Sequence, residues 1–237
     1  MVCLSTRPLY LQLRDALVER IATGEWKPRS AIPSESDLAR EFGVSPGTMR
    51  KALDLMEHEH LVTRRQGRGT FVNDQASDEL SIRYTNIRGA GGERISGQVK
   101  SAEITEAKAD KSECERLGVQ MHDPVYRIRR VRFNEGQPMM VEAASMPAAL
   151  FPGLAGKSAV SDRLVVLAQQ YGLLLGTAEE RISIGSASAD DADALGISPG
   201  ASIMVLDRVV QTLDKRPIEW RVGRCHLARD YYLAEMC

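Results

Sequence analysis

The sequence predicts an α+β chain of two domains, and three observations carry that expectation. Between residues 9 and 60, apolar side chains recur at helical spacing between capping residues. Residues 62–72, VTRRQGRGTFV, read as a short hairpin with three arginines near its tip. Further along, strands and turns replace the helical pattern, and a helix-plus-hairpin unit occurs twice.

The first helix is expected from Leu9, Leu13, Leu17 and Ile21, with Pro8 near its start and Gly24 near its end. A second follows Ser34 as N-cap, with Asp37 three residues on and Leu38, Ala39 and Phe42 facing inward until Gly43 stops it. Ser45 caps a third, with Pro46 in its first position and Ala52, Leu53 and Met56 on its inner face. Thr48, Arg50 and Lys51 fall outside that stripe, near the N-terminal end. In the hairpin, Gly67 and Gly69 can take positive φ, so Arg64, Arg65 and Arg68 ride on a ribbon with no acid among them.

A short helix, a tight turn and a second helix with polar residues at its start form helix-turn-helix geometry. The arginine-tipped hairpin that follows makes it a winged helix-turn-helix. The expected DNA contacts are Ser34, Thr48, Arg50, Lys51, Arg65, Gln66, Gly67, Arg68, Gly69 and Thr70. Arg50 suits a guanine edge, whereas Lys51, Arg65 and Arg68 suit phosphates. Glu57 and Glu59 lie at the far end of the helix, away from the groove.

The run from Pro8 through IPSESDLAREFGVSPGTMRKALDLMEHEH to Val72 resembles the DNA-binding domain of the GntR family of bacterial repressors. Two positions depart from that family. Ser36 and Pro46 stand where many members carry arginines that contact DNA. Arg50 matches a third contact position.

Formal net charge is −1, which excludes a globally basic nucleic-acid coat and leaves DNA binding to a local patch. With 43% hydrophobic and 27% charged residues the composition is that of a globular protein. There is no apolar run near the ~18 residues a membrane span needs, and no signal-peptide pattern, so a cytoplasmic protein without membrane contact is expected. Cys3, Cys114, Cys225 and Cys237 lack C-x-x-C spacing and read as free thiols. The histidines lack ligand spacing. No metal or cofactor is expected, and no catalytic triad order or phosphate loop is present.

Domain boundaries are expected at 1–73 for the winged helix-turn-helix, 74–81 for a polar linker and 82–237 for the second domain. In the second domain, ADKSECERLGVQMHDPVYRIRRV from Ala109 is echoed by ADDADALGISPGASIMVLDRVV from Ala189. Leu117 to Arg130 spans 13 positions, as does Leu195 to Arg208. Each strand returns after a turn proline, Pro138 or Pro217. Two such units would pair about a pseudo-twofold into one antiparallel sheet with helices on a face.

Strand alternation places Tyr126, Ile128, Arg130 and Arg132 on one face, with Met140, Glu142 and Ala144 aligned on the returning strand. Four residues past the turn prolines stand Glu142 and Arg221. Convergent arginines suit a carboxylate or a phosphate. By alternation alone, a solvent-facing charged strand is equally open.

Residues from about 80 to 237 resemble a UTRA domain, the effector-binding half of the HutC subfamily of GntR regulators. The resemblance rests on RIRRVRFNEGQPMMVEAASMP, ALFPGLAG, SDRLVVLAQQYGL and DRVVQTLDKRPIEW. It implies a chorismate-lyase-like α/β sheet domain whose pocket includes Arg130, Arg132 and Glu142. It also implies roles for Tyr231 in ARDYYLAEM and for Arg94 and Ser96 in a covering loop. The resulting expectation is a ligand-responsive repressor, a homodimer on a pseudo-palindromic operator in double-stranded DNA, controlled by a small anionic effector. A lyase-like enzyme and an architectural DNA binder without an effector are the alternatives.

Overall fold

Three helices open the computed structural model: α1 (Leu9–Ala22), α2 (Glu35–Glu41) and α3 (Pro46–His58). Residues 7–75, 77, 84–156 and 163–234 are described. Linker residues 76 and 78–81, together with Cys3, Cys237, Ser161 and Asp162, lie outside them. The chain divides into two units, Met1–Leu80 and Ser81–Cys237.

In the first unit, Ser34 Oγ accepts from the Asp37 amide at 3.2 Å and Ser45 Oγ from the Thr48 amide at 3.2 Å. Gly43, at φ 64°, makes the left-handed turn between α2 and α3 that a β-carbon would strain. Leu13, Leu17, Leu38, Leu53 and Met56 are buried together with Met49, which the expected stripe had omitted. Each such side chain contributes about 1.5–3 kcal/mol of hydrophobic stabilisation. Buried Arg14 ties α1 to the end of α3 through both oxygens of Glu59, at 2.8 and 2.6 Å.

The hairpin strands β1 (Val62–Arg65) and β2 (Gly69–Val72) pair antiparallel from Val62↔Val72 to Arg65↔Gly69. Residues 29–32 hydrogen-bond to β2, through Arg29 N to Val72 O and Ile32 N to Thr70 O, both 2.9 Å. The base of the hairpin is therefore fixed while its tip projects. Asp74 and Gln75, expected in the linker, are anchored on this unit, Asp74 to Arg29 at 2.9 Å and Gln75 to the His60 carbonyl at 2.7 Å.

The second unit is built on an antiparallel sheet in the order β4-β5-β6-β9-β8-β7. Its strands are β4 (Gln98–Lys108), β5 (Pro124–Asn134), β6 (Gln137–Pro147), β7 (Leu175–Ser186), β8 (Ser202–Thr212) and β9 (Pro217–Cys225). Short strands β3 (Ile87–Arg88) and β10 (Tyr231–Tyr232) pair separately. The helices are α4 (Lys111–Leu117), α5 (Leu164–Gln170) and α6 (Ala189–Leu195).

The sheet order shows the repeat: β4-α4-β5-β6 and β7-α6-β8-β9 meet along β6 and β9. Asp110 caps α4 and Ser188 caps α6, each accepting from an amide three residues on. The Leu-Gly signature is the helix stop, since Gly118 and Gly196 both sit at φ 67°. Helices occupy both faces of the sheet rather than one. Leu117 of α4 packs with Val125, and Leu195 of α6 with Val141. On the opposite face, Val165, Leu167 and Ala168 of α5 pack with Tyr126, Ile128 and Phe151.

Under α4, buried Glu113 accepts from Arg127 Nε and Nη2 at 2.8 Å, from Ser145 Oγ at 2.6 Å and from the Asp110 amide at 2.9 Å. The Arg127 hydrogen bonds outweigh desolvation and hold its carboxyl down to about 2. A depressed carboxylate stabilises the fold above its unfolded pKa, and the effect is lost as pH falls through the folded value. Glu113→Gln is expected to cost on the order of 3 kcal/mol near neutrality. Urea titrations should show the gap to wild type narrowing between about pH 4.5 and 2; a gap independent of pH would contradict this.

Candidate functional site

Two groups of predicted residues are brought together, one in each unit. In the first, Thr48 sits in the opening turn of α3, its hydroxyl 2.8 Å from Ser45 Oγ. Arg50 is exposed and pairs with Glu35 of α2 at 2.8 Å. That pair holds the guanidinium at the surface where the two helices meet. An exposed ion pair is weak enough to exchange for a base edge. Lys51 is exposed on the same helix.

The hairpin divides its arginines. Arg64 is committed to α3, through Asp54, Glu57 at 3.5 Å and the Arg50 carbonyl at 3.3 Å. It locks the hairpin to α3. Arg65 lies over the Phe71 ring at 4.9 Å, while Gln66 and Arg68 are exposed at the tip. Gly67 and Gly69 take φ 69° and 100°, and the Arg68 amide closes the turn on Arg65 O at 2.9 Å. Thr70 is half-buried beside the tip, and its carbonyl accepts from the Ile32 amide at 2.9 Å. Ser34 is engaged in capping α2, donating to Asp37 at 2.6 Å.

In the second unit, Arg130, Arg132 and Arg221 converge on Glu142, which is wholly buried. Arg130 Nε and Arg132 Nε donate to Glu142 Oε2 at 2.5 and 2.7 Å, and Arg221 Nη1 donates to Oε1 at 2.6 Å. Alternation along β5 and β6 puts Arg130 and Arg132 on the face that carries Glu142, with Arg130↔Glu142 in direct register. Burial opposes ionisation of Glu142, yet its three arginine neighbours hold the carboxyl well below the usual range. The charged-strand alternative is thus replaced by a buried cluster.

These arginines line a cavity of about 50 Å³, room for a few waters or one compact anionic group. Ser96 lines it, and its carbonyl accepts from Arg132 at 3.1 Å. Two of the expected residues lie off this wall. Arg94 is exposed and donates to the Thr85 carbonyl at 3.1 Å, outside the cavity wall. Tyr231 is 44% exposed, and the next residue, Tyr232, faces the cavity because neighbours on β10 point oppositely. Tyr232 donates to Glu180 at 2.6 Å and accepts from Asn86 at 2.9 Å.

Sequence reasoning missed Arg208, Glu180 and Glu219 on this wall. The repeat held a signal for Arg208, which occupies the position equivalent to Arg130. Nothing in the local pattern marked Glu180, on an edge strand, or Glu219.

Comparison with known proteins places both units. The model of the "UTRA domain" matches residues 94–229, and that of "Bacterial regulatory proteins, gntR family" matches residues 9–72. The chain is 30% identical over 219 residues to the HTH-type transcriptional regulator Rv0792c of Mycobacterium tuberculosis, covering 90% of this chain and 80% of that protein. It is 36% identical over 149 residues to the mannosyl-D-glycerate transport/metabolism system repressor MngR of Escherichia coli, covering 62% of each. The crystal structure of PhnF from Mycobacterium smegmatis shares the fold with a TM-score of 0.56 at 24% identity, over 95% of this chain and 99% of that one.

Removing one partner from a buried ionic cluster strands the others, at a cost of about 3–5 kcal/mol. Glu142→Gln is therefore expected to lower the melting temperature by roughly 10 °C. Arg94→Ala, outside the cluster, should shift it little. Equal shifts in scanning calorimetry would show that Glu142 is not the organising charge.

Proposed function

Because the chain belongs to the GntR family of bacterial transcriptional regulators and carries a UTRA domain, we propose that it is a cytoplasmic, homodimeric repressor released from a pseudo-palindromic operator by a small anionic effector. Members of this family bind DNA and, through UTRA domains, small molecules; they are regulators rather than enzymes. We assign DNA reading to the first unit, on which Asp74 and Gln75 are anchored, and effector sensing and dimerisation to residues 82–237, with the residues between as the link.

The observation that carries the effector half is an excess of buried positive charge. Arg130, Arg132, Arg208 and Arg221, with half-buried Arg163, stand against Glu142, Glu180 and Glu219 on and behind one cavity wall. An anion would complete that balance. One relative is named as the repressor of a mannosyl-D-glycerate transport/metabolism system, and a hydroxylated acid of that kind accords with a cavity offering both arginines and carboxylates. For the dimer, support comes from edge strand β7, where Ile182 and Ile184 stand 46% and 73% exposed. For coupling, the effector must bind more tightly to one disposition of the DNA-reading domains than to another.

On the DNA side, Arg50 reads a base and Arg68 meets phosphate, with Lys51 and Arg65 adding non-specific affinity. Ser36 and Pro46, in place of family arginines, shift sequence reading toward Thr48, Arg50 and the wing.

Arg50→Ala is expected to weaken specific operator binding roughly ten- to hundredfold while sparing non-specific DNA. Equal losses on both in fluorescence anisotropy would remove its base-reading role. Arg68→Ala should lower affinity for every sequence and reduce the slope of log K against log salt by about one. An unchanged slope would take the wing tip off the contact surface.

A further inference from the structure

The two halves of the sheet are equivalent by repeat but not by charge. In the first half, Arg130 of β5 lies in register with Glu142 of β6. In the second, the equivalent Arg208 of β8 lies in register with Arg221 of β9, which holds the position equivalent to Glu142. An arginine therefore stands where symmetry would put the neutralising acid. Both Arg208 and Arg221 are 7% exposed, and like charges placed directly opposite on neighbouring strands repel.

Arg221 is drawn across the axis to Glu142, whereas Arg208 makes no carboxylate hydrogen bond among the described residues. Its Nη1 donates to the main-chain carbonyl of Tyr84 at 2.6 Å, and its guanidinium lies 5.9 Å from the Tyr84 ring centre. Arg208 Nε and Arg221 Nε are buried without a hydrogen-bond partner, and so is Glu219 Oε2. Burial, with Arg221 adding to it, pushes the Arg208 guanidinium down to about 10. The Nε groups of Arg130 and Arg132, in contrast, both donate to Glu142.

We infer that the effector's anionic group binds between Arg208 and Arg221, taking Arg208 from the Tyr84 carbonyl and so loosening the segment that leads back to the DNA-reading unit. This rests on the regulator function proposed above and assigns both the anion's seat and its output. Tyr84 lies near the start of the second unit, and residues 84–87 line the cavity. At about 50 Å³ the cavity holds one compact anionic group, and the rest of a larger ligand would press on residues 84–87. Glu219 and Glu180 present acceptors beside the seat, so the ligand carries hydroxyl or amine donors next to its anionic group.

Hydrogen–deuterium exchange of the full-length protein with inorganic phosphate as the probe tests this. Millimolar phosphate should raise exchange of residues 84–88 severalfold in the wild type. Arg208→Gln should show raised exchange without phosphate and no further response. Arg208→Lys keeps the charge and guards against a folding defect; it should bind phosphate more weakly while its far-ultraviolet spectrum stays native. Exchange of 84–88 that is unchanged or reduced by phosphate in the wild type overturns the inference. A phosphate response that survives in both Arg208 variants but disappears in Arg130→Gln overturns it as well, by moving the seat to the first half. Operator binding is measured in parallel. Its absence in every sample would refute the regulator function and leave the exchange result to decide the anion seat.

Discussion

Glu142 is a single carboxylate serving three buried guanidinium groups, and the second unit depends on it. Desolvating Arg130, Arg132 and Arg221 without a counter-charge would cost more than the surrounding apolar packing returns. The carboxylate sits at the seam where the two repeats meet, on β6 beside β9, so it joins the halves electrostatically as the sheet joins them by hydrogen bonds. It is wholly buried, and its three partners are buried with it. An excess of positive charge in such a place suits the proposed anionic effector, because an incoming anion would meet donors already held in position.

The opposite arrangement governs the first unit. There the working cations are exposed, and those that are paired hold exposed or half-buried acids. Arg50 rests on Glu35, and Arg64 spends its charge fastening the hairpin to α3. Loosely held surface arginines suit a partner as highly charged and as hydrated as DNA, where affinity comes from displacing counterions. A buried cluster such as that around Glu142 would be useless for reaching a duplex. The chain thus uses one residue type for two tasks, and burial is what separates them.

Arg208 connects the two kinds of chemistry. Its bond to the Tyr84 carbonyl turns an unsatisfied charge in the cavity into a tether on the segment leading toward the DNA-reading unit. An anion bound between Arg208 and Arg221, as inferred above, would compete with that hydrogen bond.

The sequence by itself determined the helices, their caps and the hairpin. Ser34, Ser45, Gly43, Gly118 and Gly196 act through hydrogen bonds and dihedral preferences within a few residues of themselves. It also determined the repeat and the shared face of Arg130, Arg132 and Glu142, because strand alternation has a period of two. Only the tertiary structure decided which charges meet. Arg64 bonding to α3, α5 on the far face of the sheet, Tyr232 rather than Tyr231 in the cavity, and Arg221 crossing to Glu142 from 79 residues away all depend on the docking of distant segments. Local pattern says which way a side chain points; the energy of a buried charge depends on every group within a few ångströms, and those neighbours are set by the fold.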